Sequence, residues 1–438
     1  MRKCIILGGG VTGLSAGLVS KFPIYEAKNI PGGICSSYYM RPKSNRKIYY
    51  EPKDQEVYRF EIGGGHWIFG GDEEVIKLIN SFSKLKKYKR KSSVFFSEKN
   101  QYVPFPLQNN LRYLDKNIIS KALAEISSPK ITNPTTFSDF LEKNFGKTLN
   151  DLFFAPFHKK YTAGLWKKIA PQDSYKSPVD IEMIKEGAVG EVSESGYNAD
   201  FFYPEKGLDE FSRNISSKCN IKYNKKVIKI DINDKRILFS DGTYLKYDLI
   251  ISTMPLNKLI NICGLKVDEK EDPHTSTLVL NIGAIKGNAC PDDHWLYIPD
   301  SKSGFYRIGF YSNVDKMFIP RSSRSLNDKV SIYVERAYLN KNKPSKKEIK
   351  RYEEKVIKEI QSYGFIKDVE VVDSNWIEVA YTWSNINSKW REKAINLLGK
   401  YNVISTGRYG KWKFQGIADS IKDGLIVGNK LINEMAEK

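Results

Sequence analysis

The alternation of apolar and polar residues predicts short buried strands separated by helices. Residues 3–7 form a short apolar run, a glycine-rich turn follows at once, and helical spacing begins at Leu14. Apolar runs at residues 249–253 and 403–408 predict further buried strands, and residues 417–425 place apolar positions on one face of a helix. Strands that alternate with helices in this way predict an α/β fold with a Rossmann-type nucleotide-binding domain.

The glycines of the first turn have the spacing GxGxxG of a dinucleotide-binding motif, in its required setting of strand, turn and helix. Gly8 allows the tight turn, Gly10 lets a pyrophosphate approach the backbone, and Gly13 lets helix and strand pack closely. The pyrophosphate is expected beside Thr12 at the helix N-terminus, where unpaired N–H groups and the helix dipole favour an anion.

Features after this motif favour FAD among the dinucleotides. Glu26 follows Gly8 by eighteen positions, where its carboxylate can accept hydrogen bonds from both ribose hydroxyls and would repel a 2′-phosphate. The pair Gly32-Gly33 is typical of flavoproteins with a glutathione-reductase-like FAD domain. Later segments are expected to add cofactor contacts at Ala27, Val227, Gly407, Arg408, Asp419 and Ser420. We therefore predict FAD as the cofactor.

Three interleaved parts are predicted. The FAD-binding part comprises residues 1–75, 205–260 and 390–438. Residues 76–204 form a helical part that carries a flap, since residues 74–85 and 114–126 show helical spacing. Residues 261–389 form a mixed β-sheet part that covers the flavin, because residues 276–282, 305–310 and 330–338 have the character of strands.

The composition is that of an ordered globular protein with an excess of positive charge. Hydrophobic residues make up 41% of the chain, and 70 Lys+Arg against 51 Asp+Glu give a net charge of +19. This excess fits an electrostatic funnel for an anionic substrate, a nucleic-acid or membrane surface, or a generally lysine-rich composition. The sequence has no zinc-ligand spacing, helix-turn-helix pattern or RNA-binding aromatic signature, so we predict neither a metal nor a nucleic-acid partner.

Cysteine usage and hydropathy indicate where the protein works. The five cysteines are scattered without a CxxC pair, which favours a reducing compartment. No uninterrupted apolar run approaches the ~20 residues that a membrane helix needs. We therefore expect a cytoplasmic protein without a membrane span, and the sequence leaves its oligomeric state open.

Blocks of sequence spread over most of the chain carry a family resemblance. They are Gly64-Gly65-His66-Trp67-Ile68-Phe69, residues 102–110, residues 151–153, residues 196–198 with 203–204, residues 295–297 with 305–307, and residues 407–414. Together these blocks resemble the UDP-galactopyranose mutases, especially the eukaryotic type, within the wider amine-oxidase-like FAD superfamily.

This resemblance implies a mutase that interconverts the pyranose and furanose forms of a UDP-galactose-like nucleotide sugar. In that family, N5 of the reduced flavin attacks the anomeric carbon and expels UDP. Tyr297, Arg307 and Tyr381 would hold the diphosphate, and His66 would act beside N5. The other implied site residues are Gly64 and Gly65 in the histidine loop, Phe105 and Gln108 on the uridine side, Phe414 near the diphosphate, and Asn198 on the flap.

The chain departs from the family pattern at three positions. It has no arginine between Arg112 and Arg213, where the family carries a second diphosphate ligand, and Lys176 or Lys185 would lack the same bidentate grip. Phe105 and Phe414 align with family tyrosines and lack the hydroxyl. One lost hydrogen bond to a charged group costs ~1.5 to 3 kcal/mol, so we expect these departures to weaken the affinity for UDP-galactose.

Other functions remain open at this stage. A flavin oxidoreductase of the amine oxidase, protoporphyrinogen oxidase or desaturase type would use the same scaffold, and a third alternative is an inactive protein with structural FAD. A nicotinamide, NAD(P)H, is a candidate reductant that would visit the substrate cleft transiently, since the sequence has no second nucleotide motif.

Single residues also have structural alternatives. Arg307 could be an ordinary strand arginine paired with an acid. His66 could be a histidine whose ring forms its hydrogen bonds within its own glycine-rich turn. Trp295 and Trp412 could be core aromatics.

Overall fold

The computed structural model describes residues 3–128, 133–171, 178–192, 199–339 and 343–437. Its strands are β1 Cys4–Leu7, β2 Ile24–Tyr25, β3 Ser37–Met40, β4 Tyr58–Glu61, β5 Ile68–Phe69, β6 Leu85–Lys89, β7 Ser92–Phe96, β8 Gln101–Pro104, β9 Asp200–Pro204, β10 Ile221–Lys222, β11 Val227–Asp231, β12 Arg236–Phe239, β13 Tyr244–Lys246, β14 Leu249–Ser252, β15 His274–Lys286, β16 Trp295–Tyr297, β17 Arg307–Phe310, β18 Lys329–Leu339, β19 Ile366–Thr382 and β20 Val403–Ser405. Its helices are α1 Val11–Ser20, α2 Glu73–Phe82, α3 Lys116–Ser127, α4 Phe137–Leu149, α5 Ala155–Tyr161, α6 Ile181–Val189, α7 Leu208–Ser216, α8 Leu256–Ile262, α9 Tyr311–Val314, α10 Lys346–Ser362, α11 Trp390–Gly399, α12 Gly407–Gly410 and α13 Ile417–Ala436.

A parallel five-stranded sheet in the order β10-β2-β1-β14-β20 forms the nucleotide-binding core. β1 and β14 are buried along their whole length, which explains why their sequences are continuous apolar runs. Helices α1 and α13 pack closely, and a Cβ at Gly424 would lie only 2.2 Å from the Thr12 carbonyl oxygen. Because the strands are parallel, their carboxyl ends meet at one edge, where a ligand site is expected.

A seven-stranded sheet in the order β19-β15-β18-β17-β16-β7-β8 forms the second layer. Helix α10 covers one face, where Val356 packs with Val334 in a common core. Strand residues alternate between the two faces, so Tyr297 and Tyr333 point to the opposite side, into the core shared with the helices before residue 162. This opposite face carries the site described below.

The helical segments that precede the second sheet differ in detail from the prediction. The helix predicted at residues 74–85 ends at Phe82, because Leu85 begins β6 and pairs with Pro204 of β9. Strands β7 and β8 lie within the predicted helical part but extend the seven-stranded sheet. Helix α5 contacts β18 and brings Tyr161 onto the site face of that sheet. In the part of the chain that the structure describes, no helix is both long and apolar enough to span a membrane.

Candidate active site

The glycine turn after β1 has the close contacts that the motif requires. Gly8 adopts φ 104°, and a Cβ at Gly13 would lie 1.9 Å from the Gly8 carbonyl oxygen. A Cβ at Gly10 would meet nothing within 4 Å, so the backbone there borders open space. Gly407, at the end of β20, approaches from the other side, since its Cβ would lie 2.6 Å from Thr12 Oγ1. The structure therefore gathers these five predicted residues at one edge of the sheet.

The segment after β2 adds the acid and the second glycine pair. Glu26 is buried and accepts hydrogen bonds from the backbone N–H groups of Gly9, at 2.6 Å, and Lys28, at 2.8 Å. Gly32 donates from its N–H to the Gly9 carbonyl at 2.8 Å, and a Cβ at Gly33 would lie 3.5 Å from Gly10 Cα. The pair Gly32-Gly33 thus packs directly on the first turn.

The residues at this edge fit FAD. A cavity of about 860 Å³ begins at Gly8 and is lined by Glu26, Ala27 and Val227. It extends along α8 to residues 265–267, which gives room for an adenosine beside the acid. The open space at Gly10 admits a pyrophosphate next to the N-terminus of α1. A flavin would continue from there toward Gly407 and the histidine loop.

The N-terminus of α13 lies in the same region but uses its side chains locally. Asp419 accepts a hydrogen bond from the Gly416 N–H at 3.1 Å, and the Ser420 hydroxyl donates to the Gly416 carbonyl at 2.8 Å. These contacts cap the first turn of the helix and leave its other N–H groups for a ligand. The roles of Asp419 and Ser420 as cofactor contacts stay predictions.

Arg307 is held by a carboxylate on the neighbouring strand. Its Nε donates to Glu335 Oε2 at 2.9 Å and its Nη2 to Glu335 Oε1 at 2.6 Å, while the Tyr306 hydroxyl also donates to Oε2 at 2.7 Å. Both side chains are nearly buried, with exposures of 10% for Arg307 and 3% for Glu335. Burial opposes the charge on Arg307, but Glu335 outweighs it and raises the pKa of the guanidinium. The structural alternative for Arg307, a strand arginine paired with an acid, is thus the arrangement observed.

Aromatic rings line the space around this ion pair. Tyr297 is buried, with its ring centroid 4.6 Å from that of Phe105. Tyr381 lies edge-on to Tyr161 at 4.7 Å and parallel to Phe414 at 6.3 Å. Burial raises the pKa of Tyr161, so this phenol stays protonated and can donate a hydrogen bond. The structure therefore brings the predicted residues Tyr297, Tyr381, Phe105 and Phe414 to the same face.

Arg408 is a second cation of the site. Its Nη1 donates to the Gln415 carbonyl at 3.1 Å and its Nη2 to the Ala380 carbonyl at 3.0 Å. Its guanidinium carbon lies 4.7 Å from the ring of Phe414 and 5.3 Å from that of Tyr381. Among the residues that the structure describes, no carboxylate forms an ion pair with Arg408, so its charge is available to a cofactor or substrate anion.

His66 follows three glycines and is held in an electropositive environment. Its Nδ1 lies 3.4 Å from the Gly64 carbonyl oxygen, so the ring is only loosely held within its turn. Burial and the nearby Arg408 lower the pKa of His66 to about 4, although Glu335 acts in the opposite direction. His66 is therefore a neutral imidazole near pH 7. Gly64 and Gly65 lie against the second sheet, where a Cβ would meet Glu335 and Tyr333.

The predicted uridine side is enclosed and contains buried polar atoms without a hydrogen-bond partner among the described residues, Gln108 Oε1 and Asn109 Oδ1. Phe105 is 5% exposed, and its carbonyl accepts a hydrogen bond from Arg90 Nη2 at 3.0 Å. Gln108 donates through Nε2 to the Pro178 carbonyl at 2.7 Å, while its buried Oε1 has no partner among the described residues. Asn198 lies outside the described residues.

Of the two lysines considered as replacements for the missing arginine, Lys185 is the one that lies within the described residues. Lys185 is paired with Glu182 at 2.9 Å and is largely exposed. Lys176 lies outside the described residues. Trp295 and Trp412 are both buried in the cores, as their structural alternative predicts. No metal-ligand cluster of His, Cys, Asp or Glu occurs in the described ranges.

Sequence reasoning missed several residues that the fold brings to this face. Glu335, Tyr306 and Tyr161 surround Arg307, and Glu61 lies buried just before the histidine loop. The available signal for Glu335 was a single acid inside an apolar strand, since buried acids are rare unless they are paired. Burial raises the pKa of Glu61 to about 7, and the Tyr203 and Ser37 hydroxyls, which donate to Oε1, oppose this shift.

The nucleotide edge fits a flavin nucleotide, and the tyrosine-lined face is a candidate substrate site. The family model of flavin-containing amine oxidoreductases matches residues 12–272, more than half of the chain. The chain belongs to this family, which confirms the predicted amine-oxidase-like superfamily and its flavin cofactor.

Comparison with solved structures supports the same fold over the whole chain. Reduced UDP-galactopyranose mutase is similar with a TM-score of 0.84 and 23% identity, covering 99% of this chain and 96% of that chain. A CLA-producing fatty acid isomerase from P. acnes has a TM-score of 0.60 and 15% identity, covering 98% of both chains. Putrescine oxidase has a TM-score of 0.58 and 12% identity, covering 99% of both chains. At these identities the likeness shows the fold, and the predicted fold class is confirmed.

Proposed function

We propose that the chain is a flavin-dependent mutase that interconverts pyranose and furanose forms of a UDP-galactose-like nucleotide sugar. The observation that carries this proposal is the gathering of Tyr297, Arg307 and Tyr381 on one face beside the His66 loop. The likeness to UDP-galactopyranose mutase over nearly the full chain supports the same assignment.

The proposed role of Arg307 and the phenols is to hold a diphosphate while it leaves and returns. A leaving diphosphate gains negative charge, so fixed donors stabilise it more strongly than they stabilise the intact substrate. The hydroxyls of Tyr297 and Tyr381 can donate hydrogen bonds to such an anion, and the rings of Phe105 and Phe414 pack beside them. Aromatic walls also keep water away from a reactive sugar.

The flavin supplies the nucleophile when it is bound in its reduced form. The protein contributes geometry and charge at the edge of that ring. His66 is neutral near pH 7 because its pKa is lowered to about 4, so its role is to donate or accept one hydrogen bond rather than to carry a charge. NAD(P)H remains the proposed reductant.

A flavin oxidoreductase is the second candidate, and one observation favours it. Tyr381 and Phe414 are parallel, with an interplanar angle of 8°, and form an aromatic wall against which an apolar substrate could pack. The position of Arg408 argues against a cationic amine, because its guanidinium lies within 5.3 Å of both ring centroids and would repel an ammonium group. An oxidoreductase at this site would therefore act on a neutral or anionic substrate.

The deciding experiment compares oxidised and dithionite-reduced protein under anaerobic conditions with UDP-galactopyranose and UDP-galactofuranose. Chromatography of the sugar nucleotides should show interconversion only with the reduced protein. Arg307→Ala should abolish most of this activity. Arg336→Ala is the matched control, because Arg336 lies on the same strand as Glu335, donates to the Ser303 carbonyl and stacks on Tyr352 of α10. Absence of interconversion in the reduced wild type would overturn the proposal.

A further inference from the structure

The ion pair between Arg307 and Glu335 uses only one edge of the guanidinium. Nε and Nη2 donate to the carboxylate, whereas Nη1 forms no hydrogen bond with the described residues and is not among the polar atoms buried from solvent. The 10% exposure of the Arg307 side chain therefore includes its Nη1 end. A guanidinium held in this way presents one free edge to an incoming ligand.

Glu335 is itself fixed on three sides. It faces Arg307 directly across the β17–β18 pair, and it accepts a third hydrogen bond from the Tyr306 hydroxyl. On its remaining side, Oε1 lies where a Cβ on Gly64 would be 2.8 Å away. The carboxylate thus lies between the arginine and the glycine loop that leads to His66.

We propose that Glu335 is the positioning residue of the anion site: it holds Arg307 by one edge, attenuates the charge offered to a ligand, and leaves the Nη1 edge to a nucleoside diphosphate. This inference rests on the proposed role of Arg307 as an anion ligand. It does not depend on whether the bound nucleotide is then isomerised.

A partly neutralised positive charge on Arg307 would help a site from which a diphosphate must leave and to which it must return. A diphosphate that must leave one atom and return to it should be bound firmly at the transition state but not trapped in the ground state. A buried arginine without a counter-ion would bind any small anion tightly. Glu335 removes part of this general attraction while its two hydrogen bonds keep the guanidinium in one orientation.

The test measures anion binding rather than turnover. UDP and inorganic pyrophosphate are titrated into the oxidised FAD-bound protein, and binding is followed by the change in flavin absorbance or by calorimetry. Glu335→Gln keeps the shape and one acceptor but removes the charge. We expect the Kd for both anions to fall about tenfold, which corresponds to about 1.4 kcal/mol. Glu335→Asp keeps the charge but is one methylene shorter and loses the paired contacts with Nε and Nη2, so its Kd for either anion should not fall below that of the wild type.

A matched control separates this effect from a loss of stability. Like Glu335, Glu370 pairs with a cation and accepts a hydrogen bond from a tyrosine: Lys329 lies 2.9 Å away and the Tyr58 hydroxyl donates to it, but Glu370 lies outside the site. Glu370→Gln should change the unfolding midpoint without changing either Kd. If the mutase assay is positive, Glu335→Gln should lower KM without a matching rise in kcat, because only uniform binding has been strengthened.

Each outcome decides the inference. Unchanged or weaker binding of UDP by Glu335→Gln would overturn it, even if the wild type proves to be a mutase. Tighter binding by Glu335→Gln, with a wild type that binds UDP but does not isomerise its sugar, would support the inference and refute the proposed function. Failure of all variants to bind either anion would overturn both the inference and the role of Arg307.

Discussion

Removing Arg307 alone should destabilise the protein far more than removing the whole ion pair. Arg307→Met leaves Glu335, 3% exposed, without its two charge-assisted hydrogen bonds, so that only the Tyr306 hydroxyl still donates to it. Breaking a buried pair by deleting one partner costs about 3–5 kcal/mol, whereas replacing both partners by apolar residues is often neutral. Because the Tyr306 hydrogen bond survives, we expect about 3 kcal/mol for Arg307→Met.

The double variant Arg307→Met/Glu335→Leu should recover most of this loss. Urea unfolding of both variants and the wild type, at one FAD concentration, gives the comparison, since bound cofactor itself shifts apparent stability. The double variant should also fail to bind UDP, which separates stability from ligand binding. A single variant as stable as the double variant would refute the picture of a buried carboxylate that depends on Arg307.

Three further predictions concern the flavin edge and its titrating groups. Gly10→Ala should leave the unfolding midpoint of the apoprotein unchanged but reduce the amount of flavin retained per protein. The reason is that the added Cβ enters the open space expected for the pyrophosphate. Full retention of flavin would contradict that placement. The folded pKa of Glu61, about 7, exceeds the unfolded value of 4.5, so the wild type should lose stability as pH rises between these values. Glu61→Gln lacks this titration and should therefore gain up to about 3 kcal/mol relative to the wild type from pH 4.5 to 7. A pH-independent difference between the two proteins in urea unfolding would rule this out. The wild type should lose stability relative to His66→Asn as pH falls from 6.5 toward 4, because burial and Arg408 lower the folded pKa of His66 to about 4; parallel thermal midpoints over that range would contradict it.

The nucleotide half of the molecule could be predicted from the sequence because its signals are local. Gly8, Gly10 and Gly13 fall within six residues, and each has a steric reason that the structure repeats as a close contact or an open space. Glu26 was likewise placed by its distance from Gly8 along one βαβ unit. Local spacing was therefore enough to predict the fold class, and it also predicts the sheet edge at which we expect the cofactor.

The environment of Arg307 could not be predicted in the same way. Glu335 is 28 residues away, and the two side chains meet only because β17 and β18 pair in one particular register. The sequence allowed either a free arginine or a paired one, and no local pattern decides between them. The C-terminal end of the helix predicted at residues 74–85 was placed too late for a related reason, because the pairing of β6 with β9 outweighs the helical spacing at Leu85.

The central claim is that the flavin and the Arg307 face act on one nucleotide sugar without consuming electrons. The most direct measurement counts sugar isomers formed per reduced flavin in a sealed anaerobic reaction with UDP-galactopyranose, while the absorbance of oxidised flavin is followed in the same cell. We expect many isomerisation events per flavin and no return of the oxidised absorbance. Reoxidation of the flavin in step with substrate consumption, or no isomer at all, would contradict it.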